Sequence, residues 1–133
     1  MDMFEKIVKW NEERGLIERG FNHQTEVSFI IEELLESTGN YDSDSAREKA
    51  LEYAKTITTN SNPDPEAIVD AMADIIAYAT GAIAKTGYNP SRVMDEVYQE
   101  ISSRTGSLVE GKFVKDPLAK KYTADFSKCK TNR

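Results

Sequence analysis

Two segments of this chain repeat apolar residues at helical spacing and are interrupted only by acids, which leaves the helix as the element they can form. The first, SFIIEELLES, places Glu32, Glu33 and Glu36 among Phe29, Ile30, Ile31, Leu34 and Leu35. The second, IVDAMADIIAYA, places Asp70 and Asp74 among Ile68, Val69, Met72, Ile75 and Ile76, with no lysine or arginine between Ile68 and Ala84. An ionised carboxylate beside a core is costly unless a cation neutralises it, and an ordinary solvated face mixes both signs of charge. The two clusters therefore read as a divalent-metal site.

The remaining pattern is helical too. A first helix is expected from Phe4 to Ile17, with Gly15 and Gly20 as breakers, and a second from Gln24 to Ser37. A third runs from Ser45 to about Thr58, capped by Asp44 or Ser45, with Ala46, Ala50, Leu51, Ala54 and Ile57 as its apolar stripe. Pro65, preceded by Asp64 as cap, opens a fourth that continues to about Lys85. Asn89 and Pro90 open a fifth reaching Ser103, with Val93, Met94, Val97 and Ile101 turned inward. The expected architecture is an all-α helical bundle of about four to five helices in a single domain over 1–133. Its helical core covers about 4–104 and an irregular basic segment about 105–133.

Charge and cysteine content narrow the function. With 23 acidic against 17 basic side chains and a net charge of −6, the chain has no general basic footprint for a nucleic-acid polymer or an anionic membrane. One cysteine, Cys129, excludes an internal disulfide and a cysteine zinc cluster, and one histidine, His23, excludes a site of several imidazoles. No signal-peptide core is evident, and no run is expected to reach the roughly 18 apolar residues of a membrane helix. A cytoplasmic setting follows as the expectation.

The chemistry falls on the second and fourth helices. Glu33 and Glu36 project from neighbouring positions of one face, as do Glu32 and Glu36, so at least two of the three can share an ion; Asp70 and Asp74 are one turn apart. If the two helices pack antiparallel, four carboxylates converge and offer the hard oxygen ligands preferred by magnesium, with manganese as the alternative.

EELLE followed by DAMADIIAYATGAIAKTGYNPSRVMDEV resembles the all-α nucleoside triphosphate pyrophosphohydrolases. This MazG-like superfamily includes dimeric dUTPases and phosphoribosyl-ATP pyrophosphohydrolases. The resemblance covers about residues 21–115. The family pairs E-E-x-x-E with a later E-x-x-D; Glu32, Glu33 and Glu36 match the first element. In the second, Ala71 stands three before Asp74 and the acid comes one residue earlier, as Asp70, in the D-A-x-A-D form expected of the phosphoribosyl-ATP branch.

The resemblance implies cleavage of a (deoxy)nucleoside triphosphate between the α and β phosphates, giving monophosphate and pyrophosphate. It implies Mg2+ on Glu33, Glu36, Asp70 and Asp74, with Glu32 as the base for the attacking water or as a further ligand. A homodimer or homotetramer is implied as well. Arg104, just past the fifth helix, matches a position that is basic in the related branch, and GKFVKDP, with Lys112 and Lys115, resembles the family's carboxy-terminal element; these three are the expected phosphate contacts. The alternatives are a non-catalytic acidic helical binding or regulatory protein and a pyrophosphohydrolase acting on a phosphoribosyl nucleotide. A di-iron bundle is excluded for want of E-x-x-H pairs.

Overall fold

A helix leaves its first N–H groups unpaired, and four of the five helices begin where a short polar side chain accepts one of them. The computed structural model describes residues 1–104, 106–110, 112–115 and 122–131, with only the backbone of 106–108 and 112–115. Helix α1 (Met3–Glu13) opens on Asp2, whose carboxylate takes the Glu5 N–H at 2.8 Å while Glu5 returns the contact to the Asp2 N–H at 3.2 Å. Helix α2 (His23–Glu36) opens on Asn22, whose Oδ1 accepts from Thr25 N–H at 2.9 Å.

Helix α3 (Ser43–Thr58) starts earlier than the sequence pattern suggests. Asp42, and not Asp44 or Ser45, is its cap, because Asp42 Oδ1 takes the Ser45 N–H at 2.8 Å and Ser45 Oγ accepts from the Asp42 N–H at 3.1 Å. Helix α4 (Pro65–Lys85) opens on Pro65 as expected, and α5 (Pro90–Ser102) is capped by Asn89, which accepts from Arg92 N–H at 3.2 Å. Gly15, at φ +71°, follows the end of α1, and Gly87, at φ +91°, turns the chain between α4 and α5; both are conformations that cost a side-chain-bearing residue more.

The fold class is all-α, but the segment after α5 is not wholly irregular. Strands β1 (Gly106–Val109) and β2 (Lys112–Lys115) pair antiparallel, Gly106 opposite Lys115 and Val109 opposite Lys112, with Glu110 at φ +50° in the turn. A short 3-10 turn, η1, follows at Phe126–Cys129. Four-residue strands are too short to announce themselves by alternation, which is why this hairpin escapes a periodicity reading.

Chain length led to the expectation of one domain; contacts divide the chain into two compact units, Met1–Arg19 with Ile68–Arg133, and Gly20–Ala67. In the first unit Trp10 donates its indole N–H to the Ile101 carbonyl at 3.2 Å, tying α1 to the end of α5, and the Arg14 guanidinium lies 4.3 Å from the Trp10 ring. The apolar stripe expected to turn inward on α5 is only half-buried; the buried residue there is Glu96. Its Oε1 accepts from Tyr122 O–H at 2.6 Å and from Asp125 N–H at 2.9 Å. Residues 122–131 are thereby laid along α5, and the Asn89 N–H donates to the Cys129 carbonyl at 2.7 Å.

In the second unit α2 packs on α3 through small side chains. Ala46, Ala50 and Ala54 of α3 are fully buried, as is Ser28 of α2. Alanines at every fourth position let two helix backbones approach closely, so a longer side chain beside that stripe reaches across to the neighbouring helix.

Helix α4 contrasts with both. None of its residues is buried, and Val69, Ile75, Ile76 and Tyr78 are exposed. By length and composition alone it is apolar enough to cross a membrane, where the sequence reading expected no such run. Asp70 and Asp74 lie inside that apolar stretch, and carboxylates are expensive in hydrocarbon.

Candidate metal and phosphate site

The acidic residues of α2 fall into three different environments, set by the 100° step between neighbours. Glu32 points with Ser28, one turn before it, into the alanine seam and is 7% exposed. Glu33 is exposed and Glu36 half-buried. A carboxylate in such a seam requires compensation, and Arg47 of α3 supplies it: Nη1 lies 3.3 Å from Glu32 Oε1 and donates to Ser28 Oγ at 2.8 Å. Ser28 in turn donates its own proton to the Thr25 carbonyl at 2.6 Å. The Arg47 guanidinium also sits 4.9 Å from the centre of the Phe29 ring.

Asp70 and Asp74 are exposed, one turn apart on α4, and among the described residues no lysine or arginine pairs with either. They belong to the first unit, whereas Glu32, Glu33 and Glu36 belong to the second. Among the described residues no three His, Cys, Asp or Glu side chains are gathered closely enough to hold a metal ion. The donor chemistry of each cluster matches a hard divalent cation, and each cluster alone falls short of the six oxygens that magnesium takes.

Of the expected phosphate contacts, Arg104 is half-buried at the end of α5, where Nη2 donates to Glu100 Oε2 at 2.6 Å and its buried Nε has no hydrogen-bond partner. Glu100 Oε1 meanwhile accepts from the Ala124 N–H at 3.0 Å, so Arg104 belongs to the acidic patch that holds the carboxy-terminal segment. Lys112 and Lys115 lie on β2, and their side chains are outside the described residues.

Three residues near the acidic row were missed by sequence reasoning. Arg47 and Ser28 are legible only once the alanine stripe is understood as a close helix contact that a flanking arginine can cross. Glu26, in the first turn of α2, is half-buried, and burial raises its pKa above the ordinary 4.5. His23 is the first residue of α2, its Nδ1 3.2 Å from Ser61 Oγ, in keeping with a capping or surface role. Cys129 is buried and burial pushes its thiol up, which makes it a poor nucleophile. No protein-family model matches the chain, and no curated protein or solved structure matches it significantly.

Proposed function

We propose that this chain is a nucleotide pyrophosphohydrolase of the MazG-like type, dependent on Mg2+ or Mn2+. It cleaves a (deoxy)nucleoside triphosphate between its α and β phosphates. The observation that carries this reading is the acidic row on α2: Glu32 buried and charge-compensated in a seam where an apolar side chain would pack without cost, with Glu33 and Glu36 on the same helix. Buried ion pairs are seldom better for stability than apolar residues of similar volume, and the accessible carboxylates beside this one support a chemical role.

Glu33, Glu36, Asp70 and Asp74 are the proposed ligands. The metal, when bound, neutralises phosphate oxygens and lowers the pKa of a coordinated water. Glu32 takes the proton of the attacking water or completes the ligand set. The water oxygen bonds to the α phosphorus, the bond from that phosphorus to the α–β bridging oxygen breaks, and pyrophosphate leaves with the electron pair. Arg104, Lys112 and Lys115 are the proposed cations for the remaining phosphate charge.

The test is a panel of ribo- and deoxyribonucleoside triphosphates and phosphoribosyl-ATP with Mg2+, scored for pyrophosphate against orthophosphate. Pyrophosphate with monophosphate is the expected result; silence across the panel removes the reading. A homodimer or homotetramer is part of the proposal, supported by the exposed apolar side chains of α4, and a monomer in light scattering is the outcome against it. The same exposed helix favours a second reading, an acidic helical binding protein, in which nothing depends on Mg2+ and Asp74→Asn is without effect.

A further inference from the structure

We infer that Arg47 is a positioning residue that fixes the orientation of Glu32, an inference that rests on the pyrophosphohydrolase reading. A glutamate side chain on a helix has three rotatable torsions, while a group that receives a proton or holds a ligand has to stay within about 0.5 Å of its working position. Arg47 restricts that freedom, because its guanidinium is itself located by two other groups of α2, Ser28 and Phe29. Nη1 donates to Ser28 Oγ at 2.8 Å, the Phe29 ring lies 4.9 Å away, and Nη1 reaches Glu32 Oε1 at 3.3 Å.

The polarity of this chain of contacts is set from one end. Ser28 spends its only proton on the Thr25 carbonyl at 2.6 Å, so the oxygen can only accept from Arg47. Arg47 cannot swing away from Glu32 without abandoning Ser28 and the Phe29 ring.

The contact is also asymmetric. Here a single nitrogen serves both Ser28 and Glu32, and the longer of its two contacts goes to the carboxylate. Glu32 is thus steered by a guanidinium anchored elsewhere. The pair lies wholly within the second unit, so its geometry is independent of where α4 and its carboxylates are.

The experiment compares full-length wild type with Arg47→Gln and Ser28→Ala, using whichever triphosphate of the panel the wild type turns over fastest, with Mg2+. Arg47→Gln is expected to lower kcat roughly 10- to 100-fold with KM nearly unchanged, the usual scale of losing a partner that orients a site ligand. Ser28→Ala, which keeps the charge pair and loses only its anchor, is expected to lower kcat by a smaller factor, again at constant KM. If Arg47→Gln does not fold by circular dichroism, Ser28→Ala decides alone. Unchanged kcat in a folded variant, or a raised KM with kcat preserved, overturns the positioning role and leaves the enzymatic reading standing. A wild type silent on the whole panel overturns both.

Discussion

Two helices of this protein each carry a pair of glutamates four residues apart, and the two pairs sit in different surroundings. Glu32 on α2 and Glu96 on α5 are equally buried, at 7% exposure each, so burial alone does not separate them. What satisfies them does. Glu96 and Glu100 take a tyrosine hydroxyl, two backbone N–H groups and Arg104, all from the chain's own carboxy-terminal half, and together fasten residues 122–131 to α5. Backbone donors of that kind are a structural payload, because unsatisfied N–H groups would otherwise be left along α5. Glu32 meets the Arg47 guanidinium across the α2–α3 seam, and its neighbours Glu33 and Glu36 lie at or near the surface. The acids of α5 hold the carboxy-terminal segment, whereas the acids of α2 combine one buried carboxylate with accessible neighbours, the arrangement on which the proposed site rests.

The most severe way to break this comparison is to remove an acid from each side. Glu33→Gln and Asp74→Asn should each cut magnesium-dependent pyrophosphate release by about two orders of magnitude or more, the scale of losing a group that supports transition-state charge. Glu96→Gln should leave turnover in place and loosen the carboxy-terminal segment. Steady-state kinetics on the three variants decides it, and near-normal turnover in both of the first two sinks the site assignment.

Stability sharpens the same contrast. Arg47→Ala removes the ion pair from the Glu32 carboxylate in the alanine seam and should lower stability in denaturant unfolding. The double replacement Glu32→Leu with Arg47→Met should recover that stability and remain inactive. A double variant as unstable as Arg47→Ala would mean that the pair is there to hold α2 to α3.

Acid should reach the α5 contacts only after the ordinary carboxylates have titrated. The pKa of Glu96 is held below its ordinary 4.5, first by the Tyr122 hydroxyl and then by the Asp125 N–H. A lowered carboxylate contributes stability that is present above the ordinary value and fades as pH falls through the lowered one. Residues 122–131 should therefore stay docked through the usual carboxylate range and release only in stronger acid. Tyr122→Phe removes the largest cause, so release should move to higher pH, read as faster amide exchange at Asp125. Identical exchange profiles in the two proteins would refute the role of the hydroxyl.

How far the sequence could be read follows from what each feature depends on. Helices α2, α4 and α5 were legible because apolar spacing and capping residues are local, and Pro65, Asn89 and Pro90 mark their starts within the chain itself. Asp42 was passed over as the α3 cap because Asp44 and Ser45, both competent acceptors, stand beside it. The hairpin at 106–115 was hidden by strands of four residues. Nothing local marks Glu96 as buried, because its partners Tyr122 and Asp125 stand some twenty-five positions later. The α2 acids stand out in the sequence as a row of carboxylates, but the contact of Arg47 with them does not, since its partner choice depends on how closely Ala46, Ala50 and Ala54 let two backbones approach. Long-range contacts account for the omission of Glu96 and Arg47, whereas the Asp42 cap and the hairpin were obscured by local features.

The smallest expected effect tests whether the α2 face extends one turn further toward its start. Glu26 sits two turns before Glu33, and desolvation raises its pKa. A carboxylate raised in the folded state favours the protonated form, so its contribution is present in acid and is lost as pH rises through the raised value. At neutral pH the ionised Glu26 is then a small burden that Gln does not carry. Glu26→Gln should be more stable than wild type at neutral pH, by less than about 1 kcal/mol because solvent still reaches the group, and the difference should vanish in acid. The reverse ordering at neutral pH would mean that ionised Glu26 has a favourable partner that outweighs its desolvation.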